Sequence, residues 1–347
     1  MPGSVLSQQY ALHLRAAEAR VRGLLREHGL EPLFGGIHPC PIERGYRTQA
    51  SFRAGRDGSG PPYVGVDPRT GRVPLDDALW VMPEPARPAA VAVRDMIVDA
   101  NLADVVSGFD LRLEHGTLRA HVGLAAPREG SPRLDDVCAR LMDEVPGLHG
   151  VSVASQGIEL GETHLRNIVC DRTVLAHYLA FFQTNAHVTP ALAAEAQAHA
   201  TGARTVVDLY CGVGMHSILA AGPKTEVHGA DNNRWAIESA ERNVALHGLR
   251  TAAYHRETAE RFAATHAFDA PDVVFVNPSR FGCGAGVPAA VARWRPAAVC
   301  LVSCSVPSHV RDTLAFIAAG YRPQAVRCFD MFPFSEYLES VTHFAAG

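Results

Sequence analysis

The alternation of apolar and polar positions is most regular in the second half of the chain. From about residue 183 onward, short apolar runs typical of buried strands alternate with segments of helical periodicity. Strands are predicted at 204–209, 225–230, 251–255, 272–276, 298–302, 322–329 and 337–345, and helices at 187–200, 214–221, 234–246, 286–293 and 306–318. This alternation favours a doubly wound, mostly parallel α/β sheet. The last two strands, which no helix separates, predict an antiparallel pair at one edge.

The first half of the chain has a different pattern. A helix is predicted over 8–28, with Ser7 as its cap and Gly29 after its last turn, and short strands follow around 46–54, 62–66 and 71–75. A second group combines helices at 88–101 and 133–144 with strands at 109–114, 118–124 and 149–154. We therefore predict three domains: a helix with a small β-rich substrate-binding unit (1–85), a central α+β domain (86–180) and the doubly wound domain (181–347).

Composition indicates an ordinary globular protein. Of the 347 residues, 47% are hydrophobic and 20% are charged, which suffices for a sizeable core. The sequence has no apolar run long enough to cross a bilayer and no secretory signal pattern, so we expect no membrane association and a cytoplasmic location. The eight cysteines include no Cys-x-x-Cys pair, which argues against a zinc ribbon or a redox pair. No metal ion and no obligate protein partner are predicted.

Charge gives mixed information about nucleic acid. The formal net charge is −4, whereas phosphate binding usually requires a basic surface. Residues 1–60, however, carry more Arg than acidic residues, so a local basic face is compatible with the sequence.

A glycine-containing segment at 205–216 runs from a predicted strand into a helix. Gly212 and Gly214 allow a tight turn and a close approach of the backbone to a ligand. The acidic Asp208 at the end of the strand suits a cationic ligand better than a phosphate. S-adenosylmethionine carries a sulfonium and an ammonium group and no phosphate, so it fits this loop.

The next predicted strand ends at Asp231, whose carboxylate can accept hydrogen bonds from both hydroxyls of a ribose. The spacing of Asp208 and Asp231 by one helix and one strand is that of a nucleoside-binding site. A Gly-x-Gly turn alone is weak evidence, and a dinucleotide-binding enzyme is the main alternative. The two acids together favour a methyltransferase.

Cys304 is a candidate nucleophile. It follows the strand at 299–303 and precedes a helix that begins near Pro307, at the edge of the sheet where ligands bind. The helix N-terminus is expected to lower the pKa of the thiol. A buried structural cysteine is an equally good interpretation of Cys304, and Cys300 in the middle of the strand is predicted to be in the core.

A thiolate and a base together are what methylation of a pyrimidine carbon needs. Carbon 5 of uracil becomes nucleophilic once a thiolate has added to carbon 6, and a base must then remove the proton from carbon 5. Glu339 in the last strand is the candidate base, and Glu336 competes with it. From residue patterns alone, Glu339 is better explained as a solvated carboxylate on a strand.

Five motifs in order resemble those of the uracil-C5 RNA methyltransferases, the enzymes that make 5-methyluridine in tRNA and rRNA. The motifs are Phe-Phe-Gln-Thr-Asn (181–185), Asp-Leu-Tyr-Cys-Gly-Val-Gly (208–214), Asn-Pro-Ser-Arg (277–280), Ser-Cys (303–304) and Asp-Met-Phe-Pro (330–333) followed by Glu339. Gly-Tyr-Arg (45–47) is similar to an element of the substrate-binding part of that family. The resemblance covers about residue 40 to the C-terminus and is nearest the branch that methylates 23S rRNA.

The resemblance implies a Rossmann-like methyltransferase domain and a role for each matched residue. It makes Cys304 the nucleophile and Glu339 the base of an RNA methylation, part of rRNA processing. The residues that it assigns to S-adenosylmethionine are Gln183, Asp208, Tyr210, Gly212, Gly214, Asp231 and Asn277. The residues that it assigns to a flipped-out uridine and the surrounding RNA are Arg47, Phe181, Phe182 and Arg280. For the two phenylalanines, packing in the core is the alternative.

The chain also departs from the family pattern. Many members carry four cysteines that hold an iron–sulfur cluster, but here Cys40 stands alone and Ala78 lies where a late ligand is expected, so we expect no cluster. Ser279 replaces a Pro, Ser305 replaces the Asn after the nucleophile, and Leu338 replaces a His or Tyr before the base.

Three functional hypotheses result. The first is methylation of carbon 5 of a uridine in RNA with S-adenosylmethionine. The second is the same reaction on a small-molecule pyrimidine or related ring, which the acidic charge and the altered motif neighbours would suit. The third is a diverged relative that binds RNA without catalysis, against which the retained Cys304 and Glu339 argue.

Overall fold

The structure is a computed structural model that describes residues 6–56, 59–66, 72–127 and 132–347. It separates into two compact units. The large unit comprises Met1–Glu43 and Val169–Gly347, and the small unit comprises Arg44–Ile168. Within the described residues, no helix has the length and apolar character needed to span a bilayer.

The chain begins in the large unit with α1 (Gln8–Glu27) and β1 (Phe34–His38). The side chain of Ser7 accepts a hydrogen bond from the backbone N–H of Tyr10 and caps α1, as the sequence predicts. Gly29, just past the helix, has a φ of 71°, a conformation that glycine adopts without strain. The predicted helix over 8–28 is therefore confirmed, whereas β1 was not predicted.

The small unit is one seven-stranded sheet with helices packed against it. Its elements are β2 (Gln49–Arg56), β3 (Pro62–Val66), β4 (Val73–Pro74), α2 (Leu75–Ala78), α3 (Arg87–Asp99), β5 (Gly108–Leu113), β6 (Ala120–Ala125), α4 (Asp135–Glu144), β7 (Leu148–Val153) and β8 (Ile158–Gly161). The strand order is β4-β3-β2-β5-β6-β7-β8, and only β6 and β7 are parallel.

The elements that complete the chain lie in the large unit. They follow β9 (His164–Val169), in which the division between the units falls, and are β10 (Arg172–His177), α5 (Thr189–Ala196), β11 (Thr205–Leu209), α6 (Met215–Ala220), β12 (Glu226–Asp231), α7 (Arg234–His247), β13 (Ala252–Arg256), α8 (Ala259–Thr265), β14 (Val273–Val276), α9 (Val287–Trp294), β15 (Ala298–Ser303), α10 (Val306–Ala318), β16 (Tyr321–Phe329) and β17 (Glu339–Ala346).

The large unit contains an eight-stranded sheet in the order β1-β16-β17-β15-β14-β11-β12-β13. All neighbouring strands are parallel except β17, which is antiparallel to both β15 and β16. This arrangement confirms the doubly wound, Rossmann-like class. The antiparallel pair does not form the edge, however, because β1 adds beside β16 and β17 lies inside the sheet.

The two units divide the chain differently from the three predicted domains. The predicted boundary at 85/86 lies between β2 and β5, which pair directly, with Phe52 opposite Phe109 in the core of the small unit. The residues before 44 join the large unit because β1 pairs with β16 and Val21 and Leu25 of α1 pack in a core cluster with Leu338. The first 43 residues and the last 179 thus belong to one compact unit.

Tyr10 connects α1 to the C-terminal motif. Its side chain is completely buried, its hydroxyl donates to Oδ2 of Asp330 at 2.7 Å, and the same oxygen accepts the backbone N–H of Cys40 at 2.9 Å. The backbone N–H of Asp330 donates in turn to the carbonyl of His38. One phenol therefore satisfies buried groups from two distant parts of the sequence.

We predict that Tyr10→Phe lowers the free energy of unfolding by about 2 kcal/mol, because the Asp330 carboxyl and the Cys40 N–H lose their buried partner. Urea unfolding measures the change. Tyr321→Phe is the matched control, because its hydroxyl makes only a long contact of 3.5 Å with the carbonyl of Pro296. Equal losses in the two variants would contradict the role given to Tyr10.

Candidate active site

The site lies at the carboxyl ends of four adjacent strands of the large unit. The segment after β11 contains Gly212 and Gly214, β12 ends at Asp231, Asn277 follows β14, and Cys304 follows β15. In a parallel sheet these ends meet at one edge, which is where ligands of doubly wound folds bind. The sequence prediction that these residues lie together is consistent with this placement.

The loop after β11 is held in a tight conformation. Tyr210, Gly212 and Gly214 have positive φ values of 58°, 54° and 77°. At Gly214 a Cβ would lie 2.7 Å from the hydroxyl of Tyr254, whereas a Cβ at Gly212 would meet no atom within 4 Å. Gly214 is thus required because a side chain there would clash with Tyr254. Gly212 is required by its positive φ, and the space beside it is open to a ligand.

Asp208 supports this loop from beneath. It is completely buried, and its Oδ2 accepts hydrogen bonds from the hydroxyl of Ser217 at 2.6 Å and from the Ser217 N–H at 3.2 Å. Burial raises the pKa of Asp208 to about 7. Asp208 thus fixes the start of α6, while its Oδ1 has no hydrogen-bond partner among the described residues. Direct contact of this carboxylate with a cationic cofactor stays a prediction.

Asp231 remains available at the end of β12. Its Oδ2 accepts the N–H of Gly212 at 3.0 Å and its Oδ1 accepts the N–H of Asn233 at 2.8 Å, which fixes the carboxylate beside the loop. Each oxygen retains further acceptor capacity, as two ribose hydroxyls require.

Gln183 and Asn277 present amides near the same loop. Phe182, next to Gln183, packs in one core cluster with Val213 of the loop. The backbone N–H of Asn277 donates to the carbonyl of Leu209 at 3.1 Å. In the part of the chain that the structure describes, neither amide side chain makes a hydrogen bond.

These residues fit S-adenosylmethionine. The open side of Gly212, the anchored Asp231 carboxylate and the two uncommitted amides offer the donors and acceptors that a nucleoside with an amino-acid tail needs. Tyr210 contributes differently, since its hydroxyl hydrogen-bonds the Glu260 carboxylate and accepts the N–H of Gly284 at 3.1 Å. That phenol fixes the loop to neighbouring segments.

Cys304 lies opposite Glu339. The antiparallel pairing of β15 and β17 aligns Ser303 with Ser340, so the next residue on each strand, Cys304 and Glu339, is next in register. Cys304 lies just beyond the last paired residue of β15, close enough for the Glu339 carboxylate to act on its thiol. The fold therefore juxtaposes the predicted nucleophile and the predicted base.

The pKa of Cys304 differs from the sequence expectation. Burial and the neighbouring Glu339 raise the pKa of the thiol to about 11, although Arg280 acts in the opposite direction. The expected lowering by the N-terminus of α10 is therefore wrong for the free protein, because desolvation outweighs it. Ser305 caps that helix by accepting the N–H of Ser308, a task that Asn and Ser perform equally well.

Glu339 is a buried, unpaired carboxylate. Its side chain is 4% exposed, and burial raises its pKa to about 7. Among the described residues, it has no hydrogen-bond or ion-pair partner. Glu336, the competing candidate, is exposed, so the geometry favours Glu339. Leu338, which replaces the family's His or Tyr, is in the core cluster that includes residues of α1.

The predicted substrate residues fall into three different settings. Arg280 and Phe181 are exposed, and the carbonyl of Arg280 accepts the hydroxyl of Ser308 at 2.7 Å. Phe182 is 8% exposed and in the core, which corrects its assignment as a stacking residue. Arg47 belongs to the small unit, where its Nε donates to the carbonyl of Gln49.

Several residues around the site are not indicated by sequence patterns. Ser217 and Tyr254 share a hydrogen bond of 2.8 Å below the cofactor loop, and no sequence pattern distinguishes them. Phe281, directly after the Asn-Pro-Ser-Arg motif, is 76% exposed. A large aromatic residue in a glycine-flanked loop was the available signal for Phe281.

Sequence comparisons find methyltransferases. Residues 186–279 match the family described as the methyltransferase small domain. An uncharacterized RNA methyltransferase of Gloeobacter violaceus is 27% identical over 364 residues, covering 96% of this chain and 78% of that protein. One of Caldanaerobacter subterraneus is 28% identical over 297 residues, covering 78% of this chain and 65% of that protein. The 23S rRNA (uracil(747)-C(5))-methyltransferase RlmC of Edwardsiella ictaluri is 36% identical over 165 residues, 47% of this chain and 43% of that protein.

Among solved structures, the tRNA (uracil-54, C5)-methyltransferase of Pyrococcus abyssi in complex with S-adenosyl-L-homocysteine is similar in fold. The TM-score is 0.79 at 20% sequence identity, over 97% of this chain and 83% of that one. Fold and site together define the class: the chain is an S-adenosylmethionine-dependent methyltransferase. Within that class, the relatives to which the chain is similar are RNA methyltransferases, and one of them is a uracil-C5 enzyme.

The burial of Glu339 predicts a pH-dependent effect on stability. Because its pKa is raised from 4.5 to about 7, the folded state favours the proton, and the wild-type protein loses stability as the pH rises through this window. Glu339→Gln removes that loss. We expect the variant to gain about 3 kcal/mol over wild type at pH 8, and little at pH 4.5.

Urea unfolding at the two pH values tests this, with Glu336→Gln as the matched control on the exposed neighbour. A gain for Glu339→Gln of the same size at both pH values would contradict a buried, titrating carboxylate.

Proposed function

We propose that this chain transfers a methyl group from S-adenosylmethionine to carbon 5 of a uridine in RNA, with an rRNA-like segment as the target. The observation that carries the proposal is the proximity of Cys304 to the buried Glu339, just beyond the last pair of β15 and β17. The RNA methyltransferases among the relatives, one of them a 23S rRNA uracil-C5 enzyme, support RNA as the substrate. A cytoplasmic location stays a prediction.

The chemistry follows from the two side chains. The Cys304 thiol loses its proton to solvent and its sulfur adds to carbon 6 of the uracil ring, and the electron pair moves through carbon 5 to the carbonyl oxygen at carbon 4 as an enolate. S-adenosylmethionine supplies an electrophilic methyl group when it is bound. Carbon 5 would gain that methyl as the methyl–sulfur bond of the sulfonium breaks and a neutral thioether leaves. The Glu339 carboxylate would then accept the proton from carbon 5, and elimination of the thiolate would restore the carbon 5–carbon 6 double bond.

The surroundings suit these steps. A carboxyl group whose pKa lies near 7 is well matched to proton transfer at neutral pH. Arg280, which stabilises the thiolate form of Cys304, is exposed and free to approach a phosphate. Phe181 is 62% exposed and offers a face for an unstacked base. We retain Phe181 and Arg280, and leave out Phe182, as proposed substrate contacts in the large unit.

The covalent step predicts opposite outcomes for two variants. Cys304→Ala should abolish methyl transfer and form no adduct with substrate RNA. Glu339→Gln should accumulate a covalent protein–RNA adduct on a denaturing gel, because the thiolate cannot leave until the proton at carbon 5 is removed. Cys170→Ala is the control, since this cysteine is exposed and outside the proposed site. Full activity of Cys304→Ala would refute the mechanism.

The substrate class predicts where a radioactive methyl group appears. Purified protein with tritiated S-adenosylmethionine is incubated separately with total RNA from a strain that lacks the gene and with the small-molecule fraction of the same cells. We expect label in RNA as 5-methyluridine, identified by nuclease digestion and mass spectrometry. Label in the small-molecule fraction alone would instead support methylation of a free pyrimidine.

A further inference from the structure

A group of metal-ligating side chains lies outside the proposed active site. Within the described residues, His255, Glu257 and His266 are the one set of three or more His, Cys, Asp or Glu side chains close enough to share an ion. Their ligand atoms all lie within 4.8 Å of one another, and all three residues are half-buried. We propose that these residues form a binding site for a divalent transition metal ion of the Zn²⁺ type.

The ligand chemistry fits such an ion. Imidazole nitrogen and carboxylate oxygen bind Zn²⁺ at about 2.0–2.2 Å, which places ligands of one ion about 3.5 Å apart. A small rotation of one side chain closes the set to that size. Two imidazoles with one carboxylate favour Zn²⁺ and related transition metals over Mg²⁺ or Ca²⁺, which prefer oxygen ligands alone.

The tautomer of His266 is set for metal binding. Its Nδ1 lies 3.2 Å from the carbonyl oxygen of Phe262 and 3.2 Å from the hydroxyl oxygen of Thr265. That hydroxyl already donates to the carbonyl of Arg261, and a carbonyl only accepts, so Nδ1 carries the proton. The lone pair of Nε2 is therefore available, as in histidine ligands whose other nitrogen donates to a carbonyl.

Both imidazoles are held by the same buried ring. Phe262 is completely buried, and its ring stacks on His266 at 4.0 Å and packs on His255 at 5.2 Å between ring centroids. In the described part of the chain the His255 ring makes no hydrogen bond.

Glu257 is the one ligand with a competing partner. Its Oε2 lies 3.4 Å from Nε of Arg261, whose side chain is 76% exposed. An ion pair that exposed is weak and can be replaced by a metal ion. A bound ion would then connect β13, the edge strand of the sheet, to the end of α8. β13 pairs with β12, the strand that ends at Asp231.

Metal stoichiometry and spectroscopy of the full chain test the proposal. After dialysis against ZnCl₂ and gel filtration, we expect one equivalent of zinc. The affinity should fall by more than about 100-fold in His266→Gln and Glu257→Gln, since even outer-shell changes cost 10–100-fold. His228→Gln is the matched control, because His228 pairs with Glu226 at 2.8 Å and is outside the group. Unchanged zinc binding in His266→Gln would overturn the assignment.

Two further measurements keep the result independent of how the variants fold. A Co²⁺ titration of the wild-type chain should give d–d bands without a thiolate charge-transfer band, which excludes the cysteines as ligands. Zn²⁺ should also raise the thermal midpoint of the wild-type protein, and a chelator should reverse the rise. A thiolate band, or a midpoint that Zn²⁺ does not change, would refute the site.

Discussion

The buried carboxylate of Glu339 is the constraint on which the site depends. Burying a charged group without a partner costs folding free energy. Other interactions must therefore hold the backbone at that position. Here that support is the position of β17, paired on both sides by β15 and β16. The same pairing ends beside Cys304, so the sheet determines both the position of the proposed base and its shifted pKa.

Sequence patterns predicted the doubly wound sheet well because its strands are short apolar runs between amphipathic helices. They failed where contacts between distant parts of the chain determine the local structure. The segment that forms β1, Phe-Gly-Gly-Ile-His, has two glycines and becomes a strand only because β16 offers it an edge. The site shows the same limit. Each of Cys304 and Glu339 could be selected from motifs, but their alignment is a matter of register between two strands, which no local pattern encodes.

The corrections have a common physical cause, which is burial. The helix N-terminus next to Cys304 was expected to favour the thiolate, yet desolvation reverses the direction of the pKa shift. Phe182 is a residue type suited to ligand binding, but it is inside the core. The departures from the family pattern have local explanations: Ser305 keeps the cap of α10, and Leu338 fills an apolar cluster against α1.

The pairing of β1 with β16 has a consequence for the order of folding. The large unit is assembled from the two ends of the chain, with the small unit inserted between them. During synthesis β1 must therefore wait for its partner until β16 has left the ribosome. β17, which follows β16 and carries Glu339, pairs with both β15 and β16, so a variant that lacks it would lose both the continuous sheet and the proposed base. Because β1 and β16 are far apart in sequence, contacts in the large unit have a large sequence separation. The large unit should therefore fold slowly compared with the small unit.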